Sequence, residues 1–505
     1  MLTLALLAGA ALAADWKDSL NGYCAQLFDR YEDVNSMTDA NIKAFKASRE
    51  IPILAVEHQD LNLVHVQSVI RHGARAPAAD RAAAVNMENT IQWDCPFGET
   101  YVPENVDNLV FDKRFDADPV SNILRGTCEV GQLLEEGANQ EYKLGEIVFD
   151  AYFGDENVLG SAEKKLADIS ASTATDFSDI FFVRSTDKSR TRLSGSHFMS
   201  AVMGPTSTSG KTLPVHIVDY NRETLFPNEK GFCPEIEDAA HKAENSSELA
   251  KLVIDNNITR REIYEGFGSE PDSIWPVGVL DMLKCHICGH KEGQLPEGIR
   301  PVDAKRQDLV KRALKVVDDE EIFRFHYNNN EYSRVSMIRP ITDMKAFFLG
   351  AYSDGTESNS ILEGYLPEYS SRISQLRTLN NGSFPKFLLY SAHDTTVMPI
   401  LAALDIWNAN GLPRIYSPYA SMLNFEYYEK AGEYFVRIVY NGEVITPRLE
   451  GCKDQDVCPI EKLFTASDFA TPETYKSSCK PRVTPDGSRA LAAGALGVAV
   501  ALLAL

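Results

Sequence analysis

The sequence predicts an α/β fold, and three observations carry that expectation. Apolar runs at 63–70 and 384–391 are rich in strand-forming residues and each ends at a histidine. Segments of helical period follow strand-like runs in the first and last thirds of the chain. Between 221 and 334 the strands give way to charged helical segments, which suggests a helical insertion capping the sheet.

Taken in order, residues 1–13 form an apolar run ending in Ala11-Leu12-Ala13, the pattern of a cleaved secretory signal. Residues 14–59 follow as a polar helical lead-in, with Tyr23, Leu27 and Tyr31 at helical spacing. The first strand comes next. A long irregular excursion over 78–125 precedes a helix at 131–153, where Leu133, Leu134, Ala138, Tyr142, Leu144, Ile147 and Val148 fall largely on one face. Ile180, Phe181, Phe182 and Val183 form a second buried strand. Ser185 and Thr186 are N-cap candidates for a helix running to about Met203, and 213–218 makes a third strand. Within the insertion, Lys305, Arg306, Lys311, Arg312 and Lys315 lie opposite Leu309, Val310 and Leu314. Neighbouring Asp308, Asp318, Asp319 and Glu320 make this a solvated helix face rather than a nucleic-acid surface. After the 384–391 strand, Thr395 and Thr396 start a helix through Leu404, and the strand at 434–440 turns at Asn441-Gly442. Sixteen apolar residues, 490–505, end the chain. That is short for a spanning helix and within the length of a GPI-attachment tail, with Ser477, Ser478, Asp486 or Gly487 as the attachment residue.

At 505 residues and 44% hydrophobic content the chain has the make-up of a globular protein with a large core. A formal charge of −22 argues against a nucleic-acid partner. It leaves room for a small phosphorylated substrate in a local arginine-lined pocket.

Such a pocket is expected at the end of the first strand. Arg71, His72 and Arg75 place two guanidiniums, the side chain best matched to phosphate oxygens, around an imidazole that can act as a nucleophile. Gly73 permits close backbone approach, and Pro77 keeps the residue before it extended. The alternative is a strand-end loop with two solvated arginines. His393 and Asp394 repeat the arrangement at the later strand end.

Arg71-His72-Gly73-x-Arg75-x-Pro77 together with His393-Asp394 resembles the histidine acid phosphatase family. Segments beginning at Gly131-Gln132-Leu133, Arg184-Ser185-Thr186 and Cys458-Pro459-Ile460 are similar to further stretches of that family. The resemblance implies a mixed, mostly parallel sheet with helices on both faces and an inserted helical cap. The catalytic domain is then 60–220 with 335–480, the cap 221–334, and 481–505 a membrane-attachment tail. It also implies that His72 attacks phosphorus to give a phosphohistidine, with Arg71, Arg75, Arg190 and His393 binding phosphate. Arg184 is expected to be structural. Asp394 is the expected proton donor to the leaving alkoxide, since a carboxyl beside a phosphate dianion can stay protonated in mild acid. No metal or other cofactor is required.

Nine cysteines and the sequons at Asn245, Asn257 and Asn381 fit an oxidising, glycosylating compartment. By the resemblance Cys452 bridges Cys458 and Cys233 bridges Cys479. A third family bridge is lost, because the position facing Cys285 is Met422. Cys285 is then expected to pair with Cys288 and Cys95 with Cys128, leaving Cys24 over; a metal site around Cys285, His286, Cys288 and His290 is the other reading. Attachment at Ser477 or Ser478 would remove Cys479 and its bridge. The expected function is acid phosphomonoester hydrolysis on the lumenal or outer face of a membrane. A phytase-like inositol polyphosphate phosphatase and a non-catalytic surface receptor are the alternatives.

Overall fold

A computed structural model of the chain describes residues 24, 48–78, 92–95, 100–101, 111–113, 124–163, 165–204, 211–268, 276–289, 291–355, 358–407 and 416–480. The signal segment, most of the lead-in and the tail from 481 lie outside the described residues.

One eight-stranded sheet organises the molecule. Its strands are β1 (Asn62–Arg71), β2 (Phe181–Ser185), β3 (Val215–His216), β4 (Phe387–Ala392), β5 (Met422–Lys430), β6 (Glu433–Tyr440), β7 (Glu443–Val444) and β8 (Cys458–Pro459). Their spatial order is β7-β6-β5-β1-β4-β2-β3, with β8 pairing β6. The half from β1 through β4 and β2 to β3 is parallel; β5 to β8 pair antiparallel. The first strand therefore sits in the middle, with both faces covered.

Alternation along the strands divides the core into two layers. Val66, Ile70, Phe181, Val183, Phe387 and Leu389 face one side. There they pack on Leu144 and Val148 of α1 (Glu135–Tyr152) and on Phe198 and Val202 of α2 (Ser189–Met203). Val69, Phe182, Leu388 and Tyr390 face the other side, against helices α7 (Ala304–Ser353) and α9 (Asp394–Ala403). Between these lie α3 (Pro234–Glu244), α4 (Ser247–Asp255), α5 (Asn257–Phe267) and α6 (Pro276–Cys288), which pack around α7, and α8 (Ser360–Leu379). The helical path of α7 breaks at Tyr327, and Asn328, Asn329 and Asn330 take left-handed φ values of 49°, 57° and 61°. Asparagine tolerates that region better than other non-glycine residues.

Some elements differ from the sequence expectation, each for a local reason. Helix α1 begins at Glu135 rather than 131, because the residues before it bond to the loop after β1: Ala76 N–H donates to Gln132 O and Leu134 N–H to Ala74 O, both at 2.9 Å. The N-cap of α2 is Lys188, not Ser185 or Thr186. The Thr186 hydroxyl is instead shared between Thr191 and His393, at 2.8 and 2.9 Å. Of the basic residues of α7, Arg306 is ion-paired with Asp303, Arg312 with Asp308 and Glu262, and Lys315 with Asp319.

Four disulfides join Cys24 to Cys288, Cys95 to Cys128, Cys233 to Cys479 and Cys452 to Cys458, and Cys285 is free. The pairing of Cys285 with Cys288 is thus corrected. The two sit three residues apart on α6, but the Cys288 sulfur is taken by Cys24, while the Cys285 thiol lies 3.5 Å from Arg75 Nη1. Cys288, tied in a disulfide, offers no thiolate to a metal. All three sequon asparagines are exposed.

Candidate active site

Parallel pairing of β1 and β4 brings the two distant motifs together. Arg71 stands opposite Ala392, and the His72 N–H donates to Ala392 O at 3.0 Å. The next residues on the two strands, His72 and His393, place their rings 5.5 Å apart, edge to face. The loop after β1 is pressed onto the start of α1. A Cβ on Gly73 would fall 2.3 Å from the Gly137 carbonyl oxygen, so glycine at both positions permits the contact. Ala74 N–H donates to the Gln140 side chain at 2.9 Å, fixing the loop further.

The imidazole of His72 has a defined tautomer. Its Nδ1 lies 2.9 Å from the Gly73 carbonyl oxygen, which only accepts, so Nδ1 carries the proton and Nε2 keeps its lone pair. Burial first, and then the charges of Arg190, Arg71 and Arg75, hold this ring well below the usual 6.5. Burial and Arg190, followed by Lys188, do the same to His393. Both shifts favour the neutral imidazole.

The three arginines are buried and differently tethered. Arg71 meets Asp394 at 2.7 Å, donates to Ser417 O, and lies 4.2 Å from the Tyr419 ring centroid. Arg75 meets Asp281 of α6 at 2.7 Å and donates to Ala76 O at 3.0 Å. Among the described residues, Nε and Nη2 of Arg190, on the first turn of α2, have no partner. Burial and the neighbouring Arg75 lower it to about 9, which leaves it charged at acid and neutral pH. Arg184 is spoken for: both its Nη atoms reach the Glu223 carboxylate, at 3.1 and 2.6 Å. His393 and Asp394 open α9, and Asp394 is buried beside Arg71.

All six residues expected from the sequence to make the pocket therefore converge at the carboxyl ends of β1 and β4 and the start of α2. The sequence did not reveal the α6 side of the site. Asp281 is the counter-ion of Arg75. The Lys284 ammonium sits 4.0 Å from the Tyr416 ring centroid, within electrostatic reach of Arg71, Arg75 and Asp394. Cys285, whose thiol burial pushes up to about 12, sits 3.5 Å from Arg75 Nη1. No spacing rule marks these residues, because helical packing alone brings α6 to the loop.

Fold and site together define an α/β protein with buried arginines gathered around the imidazole of His72. The chain belongs to the histidine phosphatase superfamily, branch 2, whose family model matches residues 62–290 and 319–441. It is similar to counting factor 60 of Dictyostelium discoideum, 24% identical over 86% of this chain and 93% of that one. Lysophosphatidic acid phosphatase type 6 of Mus musculus is 25% identical over 86% of this chain and 91% of its own. Human prostatic acid phosphatase is 25% identical over 69% of this chain and 79% of its own.

Proposed function

We propose that the protein is an acid phosphatase that hydrolyses small phosphate monoesters through a phosphohistidine on His72. The observation that carries the reading is the pairing of an unprotonated Nε2 on His72 with a buried arginine whose Nε and Nη2 have no partner among the described residues. Arg71, Arg75 and Arg190 hold the equatorial phosphate oxygens, where charge is spread in the transition state. When the Thr186 hydroxyl donates into Nε2 of His393, the ring proton sits on Nδ1, which has no partner among the described residues and donates to a phosphate oxygen. Nε2 of His72 attacks phosphorus as the ester oxygen leaves with a proton from Asp394. Water then attacks the phosphohistidine, with Asp394 taking its proton, and phosphate departs.

The helical stretch 221–334 acts in this reading as a cap that supplies Asp281 to the arginine cradle. A secretory compartment fits the four disulfides and the exposed sequons, with glycans on Asn245, Asn257 and Asn381. The Cys233–Cys479 bridge favours membrane attachment through the tail beyond 479, at Asp486 or Gly487, over attachment at Ser477 or Ser478.

The test is hydrolysis of p-nitrophenyl phosphate between pH 4 and 7, with rapid quenching to trap the intermediate. His72→Ala is expected to lose about 10⁴-fold or more in kcat and all trapped phosphohistidine. Equal turnover by the two proteins would refute His72 as nucleophile. No turnover by the wild type would favour the receptor reading.

A further inference from the structure

One wall of the pocket reaches outward from His393 as a series of rings. Phe226 meets the His393 ring at 5.8 Å, edge to face. Tyr220 meets Phe226 at 5.7 Å. The ammonium of Lys188 lies 4.4 Å from the Tyr220 centroid at the outer end. The wall is firmly anchored. Glu223, held by Arg184, accepts from the N–H groups of Thr224 and Leu225 at 2.8 Å each, and the Thr396 hydroxyl of α9 donates to Leu225 O.

Lys188 is half-buried and stands two residues before Arg190, a second cation. Two carboxylates act on it electrostatically, Asp187 and Glu129. Both are engaged elsewhere, Asp187 with Arg192 and Glu129 with Lys113 at 3.2 Å. Among the described residues no carboxylate is in ion-pair contact with the Lys188 ammonium, which lies over the Tyr220 ring. A cation held beside another cation without such a partner carries a repulsion that an incoming anion relieves. Its charge is also felt at His393, at the inner end of the same wall.

We propose that Lys188 and the Tyr220–Phe226 ledge form a subsite for a second anionic group of the substrate. The preferred esters then carry a flat apolar portion between the scissile phosphate and a carboxylate or second phosphate. The ring lies along the ledge, and the far anion replaces water on the Lys188 ammonium. This deepens the phosphatase reading and rests on it for the position of the scissile phosphate.

Calorimetric titration with benzylphosphonate and (4-carboxybenzyl)phosphonate reads the subsite without requiring turnover. The carboxylated ligand is expected to bind the wild type about tenfold more tightly, the worth of one hydrogen bond to a charged group. Lys188→Met should abolish that preference, and Lys188→Arg should retain most of it. Tyr220→Leu, which removes the ledge and leaves the cation, should weaken the carboxylated ligand more than the plain one. Equal affinity of the wild type for the two ligands would overturn the subsite, as would binding of neither. Equal weakening of both by Lys188→Met would overturn it too, by assigning Lys188 to the shared phosphonate. A wild type that prefers the carboxylated ligand yet fails to hydrolyse 4-carboxyphenyl phosphate would refute the phosphatase reading and leave the subsite standing.

Discussion

Arg184 and Arg190 belong to one short segment, both are buried, and they end in opposite circumstances. The first closes a two-pronged ion pair with Glu223, whose carboxylate also gathers the N–H groups of Thr224 and Leu225. The second keeps Nε and Nη2 without a partner among the described residues. The same contrast recurs across the sheet. Arg437 of β6 is met by Glu426 of β5, which also accepts from Tyr152 and Tyr428, so that pair is hydrogen-bonded from several sides. A buried charge closed onto a buried carboxylate holds the fold and is closed to ligands. One whose donors are unused costs stability and is useful only to an anion from outside.

Exchanging the fates of the two arginines gives the largest expected effects. Arg184→Met leaves Glu223 as an unpaired buried carboxylate, with an expected loss of about 3–5 kcal/mol in unfolding free energy by urea titration. Arg190→Met removes a charge with unmade hydrogen bonds, so stability should hold or rise. Its kcat/KM on p-nitrophenyl phosphate should fall by about 10²–10³-fold, the scale of losing one charge-stabilising donor. A stable but inactive Arg184→Met, or an unstable but active Arg190→Met, would reverse the assignment.

Arg71 lies between these extremes, since its carboxylate partner, Asp394, is itself a pocket residue. Asp394→Asn removes both the acid and the counter-charge. Esters with poor leaving groups, which need the proton, should slow by about 10²–10⁴-fold, and those with good leaving groups far less. Inorganic phosphate should bind the variant more tightly, because Arg71 is no longer neutralised. Uniform slowing across a leaving-group series, with unchanged phosphate affinity, would place the acid elsewhere.

Much of this site was readable in the chain because it stands on strand ends. The run before Arg71 is buried on both faces and rich in β-branched residues, so it announces β1 and the direction of the loop beyond it. His393-Asp394 follows β4 in the same way, and Asn441-Gly442 turns with φ values of 48° and 78°, as its residue types require. Arg184 and Arg190 were separated by family resemblance, and Glu223, the residue that makes the difference physical, was not foreseen. Asp281 and Lys284 were silent because their part in the site arises from α6 packing against the loop after β1. The Cys24–Cys288 bridge spans 264 residues, a pairing that local pattern cannot specify.

Histidine allows the contrast between core and pocket to be sharpened with a smaller effect. His65 lies within β1, and burial lowers it from 6.5 to about 3. His72, at the end of the same strand, is lowered by burial and by the arginines. For both, the unfolded chain takes up a proton as pH falls through 6.5 while the native state refuses it. Their contribution to stability is therefore complete above 6.5 and is lost on acidification, for His65 progressively down to about 3. The slope is about 1.4 kcal/mol per pH unit for each group. His65→Gln should flatten the fall in unfolding free energy between pH 6 and 4.5 by about that slope, with or without phosphate. Saturating phosphate should recover part of the loss that belongs to the pocket, because it binds only the native state, by about 2.7 kcal/mol at a hundredfold excess over Kd. If phosphate erased the His65-dependent slope as well, the core histidine would be coupled to the pocket, and the division between structural and ligand-directed buried charge would fail.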